Sequence, residues 1–170
     1  AEVDLPNKPE ELIQWKDQLS GRATAPVKTQ SFDLVVVGGG IAGCGAAIAA
    51  EKNGLKVALL QDRPLFGGNA SSEIRVHTEG IHGKGADILK TLDTKWWRNS
   101  SPESKLDDQK RQRAMDAAKG ITQFLNYRAC GVKMNGDSIE TVDARHVGSG
   151  DIYRFAAPTF IDCTGDGWLG

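Results

Sequence analysis

Long apolar runs are missing from this 170-residue chain. None reaches the ~18 residues that a membrane-spanning helix needs, so no span is expected. Cysteine is scarce: Cys44, Cys130 and Cys163 contain no C-x-x-C pair. Three such thiols make no disulfide framework, and their small or apolar neighbours predict buried thiols. An excess of one charge is missing too. The net charge is -1, from 21 Lys and Arg against 22 Asp and Glu, and nothing in it suggests nucleic acid or an acidic partner. Histidine numbers only three, and His77 and His82 stand five apart among glycines. That spacing is poor for a helical metal pair, and no metal site is expected.

Glycine, by contrast, is plentiful, with 20 residues, many of them in three clusters. The first cluster follows the apolar run Leu34–Val37, where Gly38, Gly40 and Gly43 stand in G-x-G-x-x-G spacing. Ala46, Ala47, Ala49 and Ala50 then favour a thin helix, and Val57–Leu60 forms a second apolar run. The pattern is strand, turn, helix, strand, the unit that binds a dinucleotide. Gly38 permits the tight turn, Gly40 lets backbone approach a pyrophosphate, and Gly43 lets the helix lie close on the sheet. The helix start at Gly40, Ile41, Ala42 and Gly43 offers unpaired N–H groups and a positive dipole end. A glycine turn without a ligand is the plainer alternative, and the flanking buried-strand patterns weigh against it.

The second cluster follows the second strand. Gln61-Asp62-Arg63 leads through Pro64 to Gly67, Gly68, Asn69, Ser71 and Ser72. This loop leaves the carboxyl end of a parallel strand, where ligands bind in such sheets. Beyond it stand Arg75, His77 and His82, candidates for a polar group near a cofactor or a general acid–base, or else solvated loop residues. Residues 86–98 read as a helix, and 103–119 as a charged helix with a solvated face. Residues 121–127 supply a third parallel strand. An Asn135-Gly136 hairpin signal and a turn at 148–150 predict an antiparallel three-stranded meander ending near Phe155, with His146 on its surface. The third glycine cluster, Thr164-Gly165-Asp166-Gly167, closes a last buried strand from Thr159. Residues 1–32 are expected to be an N-terminal arm with one short helix over 9–19, whose apolar side carries Leu12, Ile13 and Trp15. Residues 33–170 are expected to be one α/β domain: a Rossmann-like parallel sheet with helices and the antiparallel three-stranded β-meander.

Together these stretches resemble the two-dinucleotide-binding-domain flavoproteins. In particular, residues 61–75 and Asp162-Cys163-Thr164-Gly165-Asp166-Gly167 are similar to the bacterial FAD-dependent oxidoreductase family. The resemblance runs over about 33–167 and implies extended FAD. Gly38, Gly40 and Gly43 would hold its pyrophosphate, and Gly67, Gly68, Asn69 and Ser71 would line the path to the flavin. Val132 falls where backbone contacts adenine in such folds, and Thr164, Gly165 and Asp166 would close over the phosphate and ribitol. Arg75 and His77 are the candidates near the flavin ring.

The chain departs from that pattern at Gln61, where such folds usually carry a ribose-binding Glu. An amide still accepts a hydrogen bond, without the charge. Asp62 points to the other face if the strand is regular, and Arg63 beside a missing acid also suits the 2′-phosphate of NADP. The second departure is the lack of a substrate domain after the last strand. It implies a fragment of a longer protein or a subunit that needs a partner chain. The functional expectation is hydride transfer between FAD and an unidentified small organic substrate. A non-catalytic nucleotide-binding module and an NADP-binding domain stay open beside it. Ala at position 1 fits a processed export signal, but periplasmic, exported and cytoplasmic locations all stay open.

Overall fold

The computed structural model describes residues 6–20, 25–76, 78, 83, 86–93 and 101–169. Their elements are α1 (Pro9–Ser20), β1 (Pro26–Ser31), β2 (Leu34–Val37), α2 (Ile41–Lys52), β3 (Val57–Gln61), a 3-10 turn (Gly68–Ala70), α3 (Ala86–Leu92), α4 (Ser104–Ala117), β4 (Ile121–Leu125), β5 (Tyr127–Asn135), β6 (Ser138–His146), β7 (Ile152–Ala156) and β8 (Phe160–Asp162).

The apolar runs form the centre because both of their faces are covered. β2 and β3 are buried at every residue. They pair in parallel, with β4 beyond β3 and β8 on the far side of β2, in the order β4-β3-β2-β8. Alternate side chains enter two different cores, as the two-residue period of a strand requires. Leu34, Val36, Val57 and Leu59 pack with Cys44, Ala47 and Ile48 of α2 and Met115 of α4. Val35, Val37, Ala58 and Leu60 face Phe124, Val142, Ala144 and Phe155 on the other side. The parallel sheet is thus the middle of three layers, between helices and a second sheet. Aromatic edge-to-face contacts tie the second layer down, with Phe124 and Phe155 centroids 4.7 Å apart and Phe124 and Tyr127 5.4 Å apart.

The second sheet has the order β1-β7-β6-β5. Its three-stranded meander β5-β6-β7 is antiparallel as expected, and the hairpin turns at Gly136, φ 59°. Residues 121–127 do not run as one strand. Asn126, φ 64°, breaks the run, so β4 stays in the parallel sheet while β5 leaves it for the meander. Asparagine tolerates that left-handed conformation better than most side chains.

Three other sequence expectations meet a different outcome. Within the N-terminal stretch, Pro26–Ser31 forms β1 and pairs in parallel with β7. Its sequence, Pro-Val-Lys-Thr-Gln-Ser, shows no clear alternation, so only the edge of β7 reveals it. In α1, Pro9 takes a tolerated first-turn position, but Ile13 of the apolar side is 60% exposed. In α4, the charged stretch is not simply solvated: Ser104, Asp107, Arg111 and Met115 are buried. The 94–98 end of the helix expected over 86–98 lies outside the described residues.

The thiols divide as well. Cys44 is buried, Cys163 is half-buried and Cys130 is exposed on β5, against the expectation of three buried thiols. Burial pushes the Cys44 thiol up to about 12, with Arg111 opposing, and burial also raises Cys163. Only the thiolate is nucleophilic, so reactivity should follow this order. Alkylation of the folded protein at neutral pH is expected to label Cys130 first, Cys163 slowly and Cys44 only after unfolding. Peptide mass mapping checks this, and rapid labelling of Cys44 in folded protein would contradict the burial described.

Candidate cofactor cleft

The site begins with a turn that has no room for side chains. Gly38 has φ 101°, and a Cβ there would collide with the Cys163 carbonyl. A Cβ on Gly43 would strike the Gly38 carbonyl, so the start of α2 lies directly on the strand end. At Gly39 a Cβ would come within 2.7 Å of Phe66 and 2.8 Å of Gln61. Gly40 is different: nothing lies within 4 Å of the space its Cβ would take. That space opens on a cleft of about 530 Å³. Gly40 is also the N-cap of α2, and no side chain caps it. The first-turn N–H groups therefore lack intrahelical partners. With Ile41 and Ala42 in the cleft wall, they suit an anion.

Two more loops converge on this turn. Gly67 N–H donates to the Gly39 carbonyl at 2.8 Å, bringing Gly67, Gly68 and Asn69 into the cleft wall. Cys163 N–H donates to the Val37 carbonyl at 2.7 Å, bringing Thr164, Gly165 and Asp166 in from the other side. The three loops leave the carboxyl ends of β2, β3 and β8. β3 and β8 flank β2 on opposite sides, which makes this crevice the ligand position of an open parallel sheet. Asp162 braces the last loop. Its Oδ1 accepts from the Thr164 N–H at 2.9 Å and the Thr164 hydroxyl at 2.7 Å, and its Oδ2 accepts from Leu169 N–H at 2.8 Å. Burial pushes this carboxyl up, but the hydrogen bonds from Thr164 and Leu169 together outweigh it and leave it below the usual range.

Gln61 lines the cleft but is 4% exposed and occupied on both sides. Its Oε1 accepts from Gly39 N–H at 2.9 Å, and its Nε2 donates to the Leu65 carbonyl at 3.0 Å. The amide therefore holds the glycine turn to the next loop. A carboxylate could make the first bond but not the second. Asp62 is exposed and lines the same cleft as Gln61, against the expectation for a regular strand, because β3 ends at Gln61. Arg63 also lines it and pairs with Glu73 at 3.3 Å.

The remaining sequence candidates are placed elsewhere. Gly43 packs beneath the turn. Ser71 is wholly buried behind the cleft, its hydroxyl accepting from Glu73 N–H at 3.3 Å. Val132, 39% exposed on β5, does not line the cleft. β5 reaches the cleft nearer its start, at Tyr127, Arg128 and Ala129, because Asn126 has already turned the chain. Arg75 does not line the cleft either. It has φ 68°, and its N–H donates to the Ser71 carbonyl at 2.9 Å. His77 lies outside the described residues. Sequence reasoning missed Arg128 and Trp168, both in the wall, with the guanidinium 5.5 Å from the indole centroid. No local pattern joins residues 40 positions apart, so the pair carried no sequence signal.

Residues 33–170 match the protein family described as FAD dependent oxidoreductase. The chain belongs to that family. The cleft agrees with family membership: the start of α2 is uncapped, with glycine where a side chain would fill the space. A glycerol-3-phosphate dehydrogenase of Mycobacterium leprae is 39% identical over 84 residues, which are 46% of this chain and 14% of that protein. A soluble pyridine nucleotide transhydrogenase of Ectopseudomonas mendocina is 54% identical over 41 residues, 24% of this chain and 9% of that protein. The chain thus matches only a small part of each relative's length. Among solved structures, a flavocytochrome c3 fumarate reductase in its open conformation aligns with TM-score 0.61 and 18% identity, over 95% of this chain and 37% of that one. A geranylgeranyl bacteriochlorophyll reductase-like protein of Thermoplasma acidophilum aligns with TM-score 0.56 and 22% identity, over 79% of this chain and 39% of that one. These structures share the fold of this FAD-dependent family. No helix among the described residues is long and apolar enough to cross a membrane.

Two substitutions test the cleft. Gly40→Ala keeps an ordinary backbone conformation, φ -67°, and puts a methyl group into the cleft. It should leave the thermal midpoint nearly unchanged and weaken FAD binding ~tenfold or more, as loss of a close charge-assisted contact does. Equal FAD affinity by fluorescence titration would contradict the cradle. Gln61→Glu sets a carboxylate against the Leu65 carbonyl and should destabilise the protein by about 1–3 kcal/mol at neutral pH. The introduced carboxyl would have a raised folded pKa, so stability relative to wild type is recovered at low pH and lost as pH rises through that value. Urea titrations across pH check the sign, and a constant difference would rule the clash out.

Proposed function

We propose that this chain is the FAD-binding part of an oxidoreductase that moves a hydride between the flavin and a small organic substrate. Residues 33–170 act as the cofactor domain, and residues 1–32 precede it, with β1 extending the second sheet. The observation that carries the reading is the uncapped start of α2 at Gly40, open to a cleft that two further glycine loops share.

The geometry supports the following roles. First-turn N–H groups at Ile41 and Ala42, with the positive end of α2, hold the pyrophosphate. Backbone of Gly67, Gly68 and Asn69 lines the route to the flavin. Thr164, Gly165 and Asp166, held by Asp162, bound the phosphate and ribitol side. Arg128 and Ala129, rather than Val132, sit where β5 meets the adenosine end. FAD supplies the redox chemistry, and the protein contributes binding, orientation and electrostatics. Arg75 and His77 remain proposed groups near the ring, although Arg75 stands outside the cleft wall and Ser71 would act from behind the wall.

The NADP alternative finds less support. A 2′-phosphate needs a free cation and no carboxylate. Here Arg63 is engaged by Glu73, and Asp62 faces the same cleft. The substrate site is proposed to be completed by a further domain or partner chain, because the matched relatives are several times longer than the matched region. On that account the 170-residue chain alone holds FAD without turning over substrate.

Purified protein loaded with FAD and washed should keep flavin absorbance bands in the visible range. It should show no retained NADP in the parallel experiment. A colourless protein that holds NADP would replace the flavin reading with the nicotinamide one. Sustained turnover by the isolated chain would remove the need for a completing domain.

A further inference from the structure

Among the described residues, Arg111 is the largest side chain fully hidden from solvent, at 0% exposure. It comes from the charged stretch that reads as a solvated helix. Its guanidinium lies against Gly67: a Cβ there would approach Arg111 Cδ at 3.0 Å and both Nε and Nη1 at 3.1 Å. Nε donates to the Leu92 carbonyl at 3.1 Å, and Nη1 donates to Asp108 Oδ1 at 3.2 Å. Nη2 has no partner among the described residues.

The same Asp108 oxygen accepts from the backbone N–H of Ser72 at 3.0 Å. Arg111 therefore meets the first residue of the 67–72 loop, and Asp108 meets the last. On its other side the loop is held by Gly67 N–H to the Gly39 carbonyl, 2.8 Å, and by close packing of Gly68 on Gly40. The loop is clamped between α4 behind it and the dinucleotide turn in front.

Stability alone is a poor reason for this arrangement. Desolvating a guanidinium and a carboxylate can cost more than their attraction returns, and an apolar side chain of similar volume often serves better. Contact with the end of α3 explains Nε but neither the unpartnered Nη2 nor the shared Asp108 oxygen. Burial lowers the guanidinium from its usual value, while Asp108 and Asp107 oppose that effect and favour its charge. A buried cation thus stands directly behind a loop of the cleft wall.

We propose that Arg111 is a positioning residue for the cofactor: with Asp108 it fixes the Gly67–Ser72 loop against the Gly38–Gly40 turn and sets its positive charge behind that loop. The proposal rests on the flavin reading above. Arg111 acts through Gly67 and does not itself line the cleft.

The test uses the full-length protein, flavin-free and flavin-loaded. R111M/D108N removes both charges of the pair, so neither is left facing an empty place. This double variant should keep the wild-type fold by circular dichroism and a similar thermal midpoint. Its FAD dissociation constant should rise ~tenfold or more. The visible circular dichroism of bound flavin should change. In the flavin-free form, hydrogen exchange at the Ser72 amide should accelerate. R111K keeps the charge without the fork and should recover part of the affinity. A folded double variant with wild-type FAD affinity and flavin dichroism would overturn the proposal. Should the double variant not fold, D108N decides: unchanged Ser72 exchange together with unchanged FAD affinity overturns it. Wild-type protein that holds no FAD would fail at the control, and that outcome removes the flavin reading itself. Accelerated Ser72 exchange is measured without flavin, so the two failures separate.

Discussion

Backbone packs on backbone around residues 38–40. The Gly38 turn lies against the Cys163 carbonyl, Gly43 lies on the Gly38 carbonyl, and Gly39 is closed in by Phe66 and Gln61. No other residue type could bring the ends of three parallel strands and one helix so close. Everything that faces the cleft depends on this approach. The loop after β3 is anchored by Gly67 to Gly39, and the loop after β8 by Cys163 to Val37. Once the turn is set, the two other loops have little freedom about where they meet it.

The same economy governs the electrostatics. Among the described residues, the cations in the cleft wall are Arg63, engaged with Glu73, and Arg128, over Trp168, and they stand beside Asp62 and Asp166. Mixed charge of this kind gives no strong net field. The feature of the cleft suited to an anion is the uncapped start of α2, whose N–H groups need no counter-charge and no reorganisation. Gln61 belongs to this design. A neutral amide can brace the turn from both sides, accepting from Gly39 and donating to Leu65, where a carboxylate could only accept.

The three layers explain why the turn can be so demanding. β2 and β3 bury side chains on both faces, the even residues of β2 towards α2 and the odd ones towards the aromatic cluster. Burial on both faces holds the strand ends rigidly, and a rigid frame is what a backbone-built site needs. The meander layer also redirects the chain. Asn126 ends β4 and directly precedes β5, the strand whose first residues reach the cleft.

Local pattern was enough for the parts whose constraint is local. Two apolar runs around G-x-G-x-x-G specify strand, turn and helix, because the steric need for glycine and the period of burial are both properties of a short stretch. The Asn135-Gly136 hairpin and the glycine loops after β3 and β8 were legible for the same reason. Tertiary structure alone decided what depends on a distant neighbour. β1 exists because β7 offers an edge. Cys130 is exposed because its strand lies at the border of a sheet. Ser71 and Val132 stand outside the cleft because the chain turns before reaching them. Arg111 is buried because α4 packs on the back of a loop 44 positions earlier in the chain. Charge in a sequence predicts solvent until a partner carboxylate and a backbone carbonyl are brought to it, and only the fold brings them.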